Sequence, residues 1–214
     1  MKRLRSRQMQ HAFGMLDVLV VVVVTFVLAG LLLPALMRPG CRKHPRIKCV
    51  SNLKNVGLAF RIYATDNNDR FPGQDLASNN TDLASISVTT IYQSLSNELS
   101  TPKLLICPVD KKRVEVQSFA QLTPKNISYF ASLTASETNL QSILAGDRNV
   151  LVAGRPVTGL LPLTTNLQVA WSKEIHVEQG NICMGDGSVQ QASSKRLVQM
   201  VADQNEPTNH LAFP

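Results

Sequence analysis

Hydrophobic residues are concentrated in one long run near the start of the chain, and a mostly polar remainder follows it. The run extends from Phe13 to Leu36 and contains a single charged residue, Asp17. Its length predicts a helix able to cross a lipid bilayer, which needs about 20 apolar residues. We expect this helix over residues 13–37, with Pro34 bending it rather than ending it.

A break and a second helix follow the apolar run. Two prolines and a glycine predict a linker or hinge over residues 38–46, because both residue types disfavour a helix interior. From Ile47 onward, apolar residues recur at spacings of three and four, which predicts a helix with one buried stripe. Its polar end at Asp66 to Asp69 indicates a solvated helix terminus.

Short β-branched and aromatic segments in the rest of the chain predict strands. They cover residues 104–110, 127–131, 150–153 and 166–171, and Asp186-Gly187 predicts a hairpin turn between strands at 181–184 and 188–190. We therefore expect an α+β domain over residues 47–204, with the second helix packed on a small antiparallel sheet. Residues 205–214 read as a disordered tail.

Basic residues flank the apolar run on both sides. The net charge is +7, and the two flanking groups are Lys2, Arg3, Arg5 and Arg7 before the run, then Arg38, Arg42, Lys43, Arg46 and Lys48 after it. No basic motif is interleaved with aromatic residues, so we expect membrane flanking rather than nucleic-acid binding. A short basic segment before an apolar one favours a cytoplasmic N-terminus.

The four cysteines show no CxxC spacing, which disfavours a zinc site of that kind. They are Cys41, Cys49, Cys107 and Cys183. Export of the domain would permit a disulfide. Four cysteines allow three pairings, and among them we favour Cys49 with Cys107.

The segment from His11 to Val22 resembles the cleavage and methylation motif of type IV prepilins and type II secretion pseudopilins. The resemblance implies a basic leader over residues 1–12, cut between Ala12 and Phe13, with Phe13 then N-methylated. Asp17 becomes the fifth residue of the mature chain, where the family carries Glu, and Pro34 matches the family's helix-kinking proline. The family pattern departs at Ala12, Gly14, Met15 and Asp17.

In this interpretation, leader removal leaves a free amino group on Phe13 that pairs with the Asp17 carboxylate of a neighbouring subunit in a fibre. A buried charge is tolerated when it is paired. The alternative is that Asp17 simply lies near the lipid headgroups at the start of the helix.

Two later segments resemble a pseudopilin-like group typical of planctomycete- and verrucomicrobium-type bacteria. One is the stretch from Cys49 to Pro72, and the other is His176 followed after nine residues by Asp186-Gly187, with Asp147 to Asn149 as a further match. His176, Asp186 and Asp147 form either a hydrogen-bonded structural cluster, which we favour, or a weak cation site. The resemblance to type II secretion pseudopilins makes calcium at Asp66 to Asp69 the alternative to a solvated helix end, although the spacing does not match an EF-hand.

No nucleophile-and-base motif of a hydrolase is present, so we expect no enzyme. The resemblance implies a structural subunit of a type II secretion pseudopilus or type IV pilus-like fibre in the bacterial inner membrane. Its partners would be prepilin peptidase, other pilin or pseudopilin subunits, the assembly machinery and membrane lipid. The alternative is an uncleaved, membrane-anchored extracytoplasmic module that binds a ligand or a metal.

Overall fold

A computed structural model describes residues 14–36, 45–79, 82–204 and 206–214, with the side chains of the first helix described up to residue 31. Contacts divide the chain into two units, residues 1–43 and residues 44–214.

Helix α1 forms the described part of the first unit and spans Met15–Leu36. Phe13 and Met37, the predicted ends of this helix, lie outside the described residues. The helix continues through Pro34, so this proline does not end it, and a bend there stays a prediction. Every described side chain of α1 is exposed. Within the described ranges, no helix has the length and apolar character needed to cross a membrane.

Helix α2 opens the second unit and spans Pro45–Asp66. The predicted linker over residues 38–46 is therefore wrong at its end, because Pro45 and Arg46 are helical, and residues 38–44 lie outside the described residues. Proline suits the first helical position, where its missing N–H has no partner to lose. The predicted stripe is confirmed at Leu53, Val56 and Phe60, which are fully buried.

The second unit is an α+β fold, as predicted, but its sheets are larger than expected. The remaining helices are α3 (Pro72–Asn79), α4 (Val88–Ser94) and α5 (Ser194–Asp203). The strands are β1 (Tyr129–Ser132), β2 (Ile143–Asp147), β3 (Val150–Val152), β4 (Arg155–Pro156), β5 (Gly159–Leu163), β6 (Val169–Trp171), β7 (Gln179–Met184), β8 (Val189–Ser193) and β9 (Asn209–Phe213). A six-stranded sheet has the order β5-β9-β1-β2-β7-β8, and a three-stranded sheet has the order β4-β3-β6. All strand pairs are antiparallel.

Apolar side chains fill both faces of the six-stranded sheet. Tyr129 and Ala131 belong to the core shared with α2 and α4, whereas Phe130 between them belongs to a second core with α5. Successive strand residues point to opposite faces, so β1 separates the two cores. The predicted packing of α2 on the sheet is confirmed, because α2 lies against β2, β7 and β8.

The predicted disordered tail over residues 205–214 is wrong. Strand β9 lies between β1 and β5 and pairs with both of them. Leu211 and Phe213 are buried, and the fully buried Asn209 donates a hydrogen bond to the carbonyl oxygen of Ile143. Position at the end of the chain favours disorder, but pairing with the two neighbouring strands holds this segment in the sheet. Asn205 itself lies outside the described residues.

The predicted strand over residues 104–110 is also wrong. Residues Pro102–Leu105 form a short 3-10 helix whose first turn is closed by the Thr101 side chain. Proline cannot donate to a strand ladder, and Pro102 and Pro108 flank this segment. The strands predicted at 127–131, 150–153 and 166–171 are present as β1, β3 and β6, with shifted ends.

Candidate functional site

The predicted processing residues Ala12 and Phe13 lie outside the described residues, but Asp17 is described. Its Oδ2 accepts a hydrogen bond from the backbone N–H of Gly14 at 3.1 Å. The N–H of Asp17 in turn donates to the carbonyl oxygen of Gly14 at 3.0 Å. A carboxylate at the third helical position that receives the cap N–H is half of a capping box. Asp17 therefore satisfies an otherwise unpaired donor at the start of α1.

Thr25 is the other polar side chain among the described side chains of α1, residues 15–31. Its hydroxyl lies 3.0 Å from the carbonyl oxygen of Val21 and 2.8 Å from that of Val22. Over residues 15–31, both polar side chains thus form hydrogen bonds within their own helix. The helix offers apolar contacts all around its circumference, which is typical of helices surrounded by lipid or by other helices.

The predicted disulfide is confirmed. Cys49 in α2 is bonded to Cys107, with the two Cα atoms 4.9 Å apart and a sequence separation of 58 residues. Both residues are fully buried. Closing a loop of this length stabilises the fold by about 4 kcal/mol through the unfolded state.

His176 lies directly against this disulfide, which the sequence did not predict. Its Nε2 is 3.4 Å from the Sγ of Cys107 and 3.6 Å from the Oδ2 of Asp147. The side chain of His176 is 2% exposed, and Asp147 is fully buried at the end of β2. Two of the three predicted cluster residues, His176 and Asp147, are therefore brought together.

Asp147 has an unusual electrostatic environment. Its Oδ2 accepts hydrogen bonds from the backbone N–H of Asn181 at 2.7 Å and from the side-chain amide of Asn181 at 2.9 Å. Its Oδ1 has no hydrogen-bond partner among the described residues. Burial raises the pKa of Asp147 to about 7, although the Asn181 hydrogen bonds oppose that rise.

The backbone that carries His176 is held in an uncommon conformation. His176, Val177 and Glu178 have φ values of 57°, 51° and 58°, in the left-handed region. A β-branched residue such as Val177 is a genuine outlier there. Such strain persists only where neighbouring contacts fix it, and it is often found at functional sites.

Asn149 supplies those neighbouring contacts. Its side-chain nitrogen lies 2.9 Å from the carbonyl oxygen of Ile175, 3.1 Å from that of Ser172 and 3.2 Å from that of Gln179. These three carbonyls span the loop before β7, so one buried amide fixes the segment on both sides of His176.

Arg148 holds the same loop from its outer side. Its guanidinium donates to both carboxylate oxygens of Asp110, each at 2.8 Å, and to Glu174. Burial alone would raise the pKa of Asp110, but the hydrogen bonds and charge of Arg148 lower it below its ordinary value. Arg148 and Asn149 therefore both support the His176 loop. This support gives the Asp147-to-Asn149 segment, singled out in the sequence, a structural role.

Asp186 does not join this cluster. It lies exposed in the predicted hairpin turn between β7 and β8, where its Oδ1 accepts the N–H of Ser188 at 2.8 Å. Gly187 follows with φ +80°, as this turn requires. The hairpin prediction is confirmed, but the three-residue cluster is wrong at Asp186, because the turn places it away from the buried face.

The polar segment from Asp66 to Asp69 forms the end of α2. Asn68 and Asp69 have φ values of 56° and 59°, and the N–H of Asp69 donates to the carbonyl oxygen of Ala64. Left-handed residues with such a bond commonly terminate helices. Across the described ranges, the one group of three potential metal-ligating side chains is Cys49, Cys107 and His176.

A cavity of about 510 Å³ opens beside His176. Its lining is largely apolar at Pro45, Pro108, Val109 and Val177, with basic residues at its edge. The His176 loop therefore borders a cavity on one side, although the His176 side chain itself is buried.

Sequence reasoning missed the contact between His176 and the disulfide, and it missed the roles of Asn181 and Asp110. No local pattern could have found them, because 69 residues separate Cys107 from His176. Comparisons with protein-family models, with curated proteins and with solved structures found no match to this chain.

Proposed function

We propose that this chain is a prepilin-like structural subunit of a type II secretion pseudopilus or type IV pilus-like fibre. Prepilin peptidase would cut between Ala12 and Phe13 and methylate the new amino terminus. The subunit would be held in the bacterial inner membrane with its N-terminus cytoplasmic and its second unit extracytoplasmic, and it would polymerise with related subunits rather than turn over a substrate.

One observation carries this proposal: an exposed, apolar α1 whose single carboxylate lies at its N-terminal end. Over residues 15–31, the side chains of α1 are exposed, and large apolar residues such as Met15, Leu16 and Phe26 are at least 75% exposed. Exposed apolar surface of this extent marks a contact with lipid or protein. Packing among neighbouring helices in a fibre would bury it.

The position of Asp17 supports pairing with a new amino group. The Asp17 carboxylate already bonds the backbone N–H of Gly14, the residue next to the proposed new terminus. The amino group on Phe13 of a neighbouring subunit would thus meet a carboxylate that the helix already holds in position at its first turn. Pairing offsets the cost of a carboxylate in an apolar environment.

The native amino terminus tests the proposal. Protein purified from its source should begin at Phe13 and carry one added methyl group, as measured by terminal sequencing and intact mass. An Ala12→Asp variant should keep its leader, because a charge beside the cut disturbs the peptidase site. The matched variant Gln10→Asp, two residues upstream, should still be cut. A native chain that begins at another residue would overturn the proposal.

The cavity beside His176 favours the alternative of an uncleaved, membrane-anchored binding module. Its volume of about 510 Å³ lies in the range of small-molecule sites. The same measurement separates the two functions, because this module would keep residues 1–12 in cells.

A further inference from the structure

The disulfide and His176 bring three potential metal ligands to one point. The Sγ atoms of Cys49 and Cys107 and a ring nitrogen of His176 all lie within 4.8 Å of one another, and all three residues are buried. In the oxidised protein the two sulfurs are bonded to each other, so they are not thiolates. We propose that the reduced protein binds one Zn²⁺ through Cys49, Cys107 and His176. This inference does not depend on the proposed fibre function.

The donor set favours zinc. Two thiolates and one imidazole are typical zinc ligands, at about 2.3 Å for sulfur and about 2.0–2.1 Å for nitrogen. The Nε2 of His176 and the Sγ of Cys107 are already 3.4 Å apart, a separation compatible with two ligands of one tetrahedral ion. Breaking the disulfide frees the Cys49 sulfur to rotate into the third position.

Asp147 completes the argument for a divalent cation. Its Oδ2 is 3.6 Å from the Nε2 of His176, and its buried Oδ1 has no hydrogen-bond partner within the described ranges. A buried carboxylate with an unpaired oxygen costs free energy, which a nearby cation would offset. We assign Asp147 as the acceptor for a zinc-bound water in the fourth position. A carboxylate beside the site favours Zn²⁺ over Cu⁺, which prefers soft ligands alone.

The protein also holds the imidazole in place before any ion arrives. Asn149 fixes the loop on both sides of His176, and the ring carried by this left-handed backbone lies 3.4 Å from the Sγ of Cys107. A ligand positioned in advance loses little conformational entropy on binding. The strained loop therefore has a function that packing alone would not require.

The two states of the site exclude each other chemically. A dithiol reductant donates two electrons, the bond between the sulfurs breaks, each sulfur takes a proton, and the reductant leaves as its own disulfide. Zinc then displaces the two thiol protons to solvent and bonds both thiolates. Reoxidation would expel the ion and restore the disulfide.

Metal analysis of the full chain in detergent tests this site. A Cys41→Ser, Cys183→Ala background removes both cysteines outside the proposed site, and anaerobic reduction with a phosphine avoids a competing thiol chelator. After one equivalent of zinc chloride is added and free ion is removed, the reduced chain should retain one zinc and the oxidised chain none. Cobalt in place of zinc should give a sulfur-to-metal charge-transfer band.

Three variants test the roles of His176 as a ligand and of Asp147 as its outer-shell partner. His176→Ala should lower zinc affinity at least about tenfold, and Asp147→Asn should lower it about tenfold, the usual effect of losing an outer-shell partner. His176→Cys should keep the ion, because it supplies another ligand. His210→Ala, in β9, is the matched control and should bind zinc normally.

Oxidised His176→Ala should keep its disulfide and its circular dichroism spectrum, which separates loss of a ligand from loss of fold. If His176→Ala does not fold, His176→Cys provides the test. A thiolate can replace an imidazole that binds zinc, so this variant should retain the ion, whereas it could not replace an imidazole with a purely structural role. Absence of zinc from the reduced chain, or undiminished zinc in a folded His176→Ala variant, would overturn the proposal.

Discussion

The Oδ2 of Asp17 accepts a hydrogen bond from the backbone N–H of Gly14, three residues earlier, across the first turn of α1. The carboxylate thus stabilises its own helix terminus before any assembly takes place. The observed role, a helix cap, needs only an acceptor oxygen. The proposed fibre function adds a second role, that of a charge partner, which needs a carboxylate.

Substitutions at Asp17 separate these two roles. Asp17→Asn keeps an acceptor for the Gly14 N–H but removes the charge, so we expect normal membrane insertion and poor fibre assembly. Asp17→Glu should assemble at least as well as the natural chain, and Asp17→Ala should insert but assemble poorly. The fraction of subunits recovered in sheared or cross-linked fibres measures assembly. Normal fibres from Asp17→Ala and Asp17→Asn would rule out charge pairing.

The buried carboxylate of Asp147 makes stability depend on pH. Its pKa is raised by burial to about 7 in the folded protein, from 3.8. Between these values the folded state binds a proton that the unfolded state has lost, so the free energy of unfolding falls as pH rises through this window. The loss is at most about 4 kcal/mol, at 1.36 kcal/mol per pKa unit.

Asp147→Asn should remove that dependence. The amide oxygen still accepts from Asn181, but nothing ionises, so the variant should be more stable than the natural chain above about pH 7 and similar to it near about pH 4. Urea unfolding at both pH values measures the difference. Asp203 is an exposed carboxylate in α5. As the control, Asp203→Asn should leave the change in stability between the two pH values as it is in the natural chain. A stability difference between Asp147→Asn and the natural chain that is the same at both pH values would contradict the assignment.

The sequence predicted the elements that depend on local pattern and missed those that depend on distant contacts. The α2 stripe and the Asp186-Gly187 hairpin follow from residue spacing and turn chemistry, and both are present. The Cys49–Cys107 disulfide was favoured among three possible pairings, none of which local pattern excludes, and it is present. Strand β9 was missed because its stability comes from β1 and β5, which lie far away in sequence.

The candidate site was predicted only in part for the same reason. His176 and Asp147 meet because β2 and β7 are neighbours in the sheet, and pairing of distant strands has no signature within either segment. Asp186 belongs to the same sequence motif as His176, but the turn places it on the surface. Shared spacing in a motif therefore did not imply a shared site.

Asn149 is expected to control the order of the His176 loop. Asn149→Ala removes the amide that faces the carbonyl oxygens of Ser172, Ile175 and Gln179, and each buried acceptor left unpaired costs about 1–3 kcal/mol. We expect faster hydrogen exchange over residues 172–179 and faster proteolysis near the exposed Val177. Asn166→Ala, in an exposed turn, should change neither rate. Unchanged exchange in Asn149→Ala would show that the loop is fixed by other contacts.

Helix α2 lies close against the β7–β8 hairpin at Gly57. A Cβ added there would lie 2.5 Å from the Sγ of Cys183 and 3.4 Å from the backbone of Gly187. Gly57→Ala should therefore destabilise the fold by about 1–3 kcal/mol, the usual cost of overpacking a core. Urea unfolding of the full chain measures this loss.

A second substitution tests whether the contact with Cys183 is the cause. Cys183→Ala removes the Sγ atom that the new methyl group would meet, so the double variant Gly57→Ala with Cys183→Ala should be more stable than the sum of the two single changes predicts. A positive coupling of about 0.5–3 kcal/mol is expected for residues in direct contact. Additive losses would instead show that the Sγ of Cys183 is not the source of the clash, because the Gly187 backbone at 3.4 Å lies at ordinary van der Waals distance from the added Cβ.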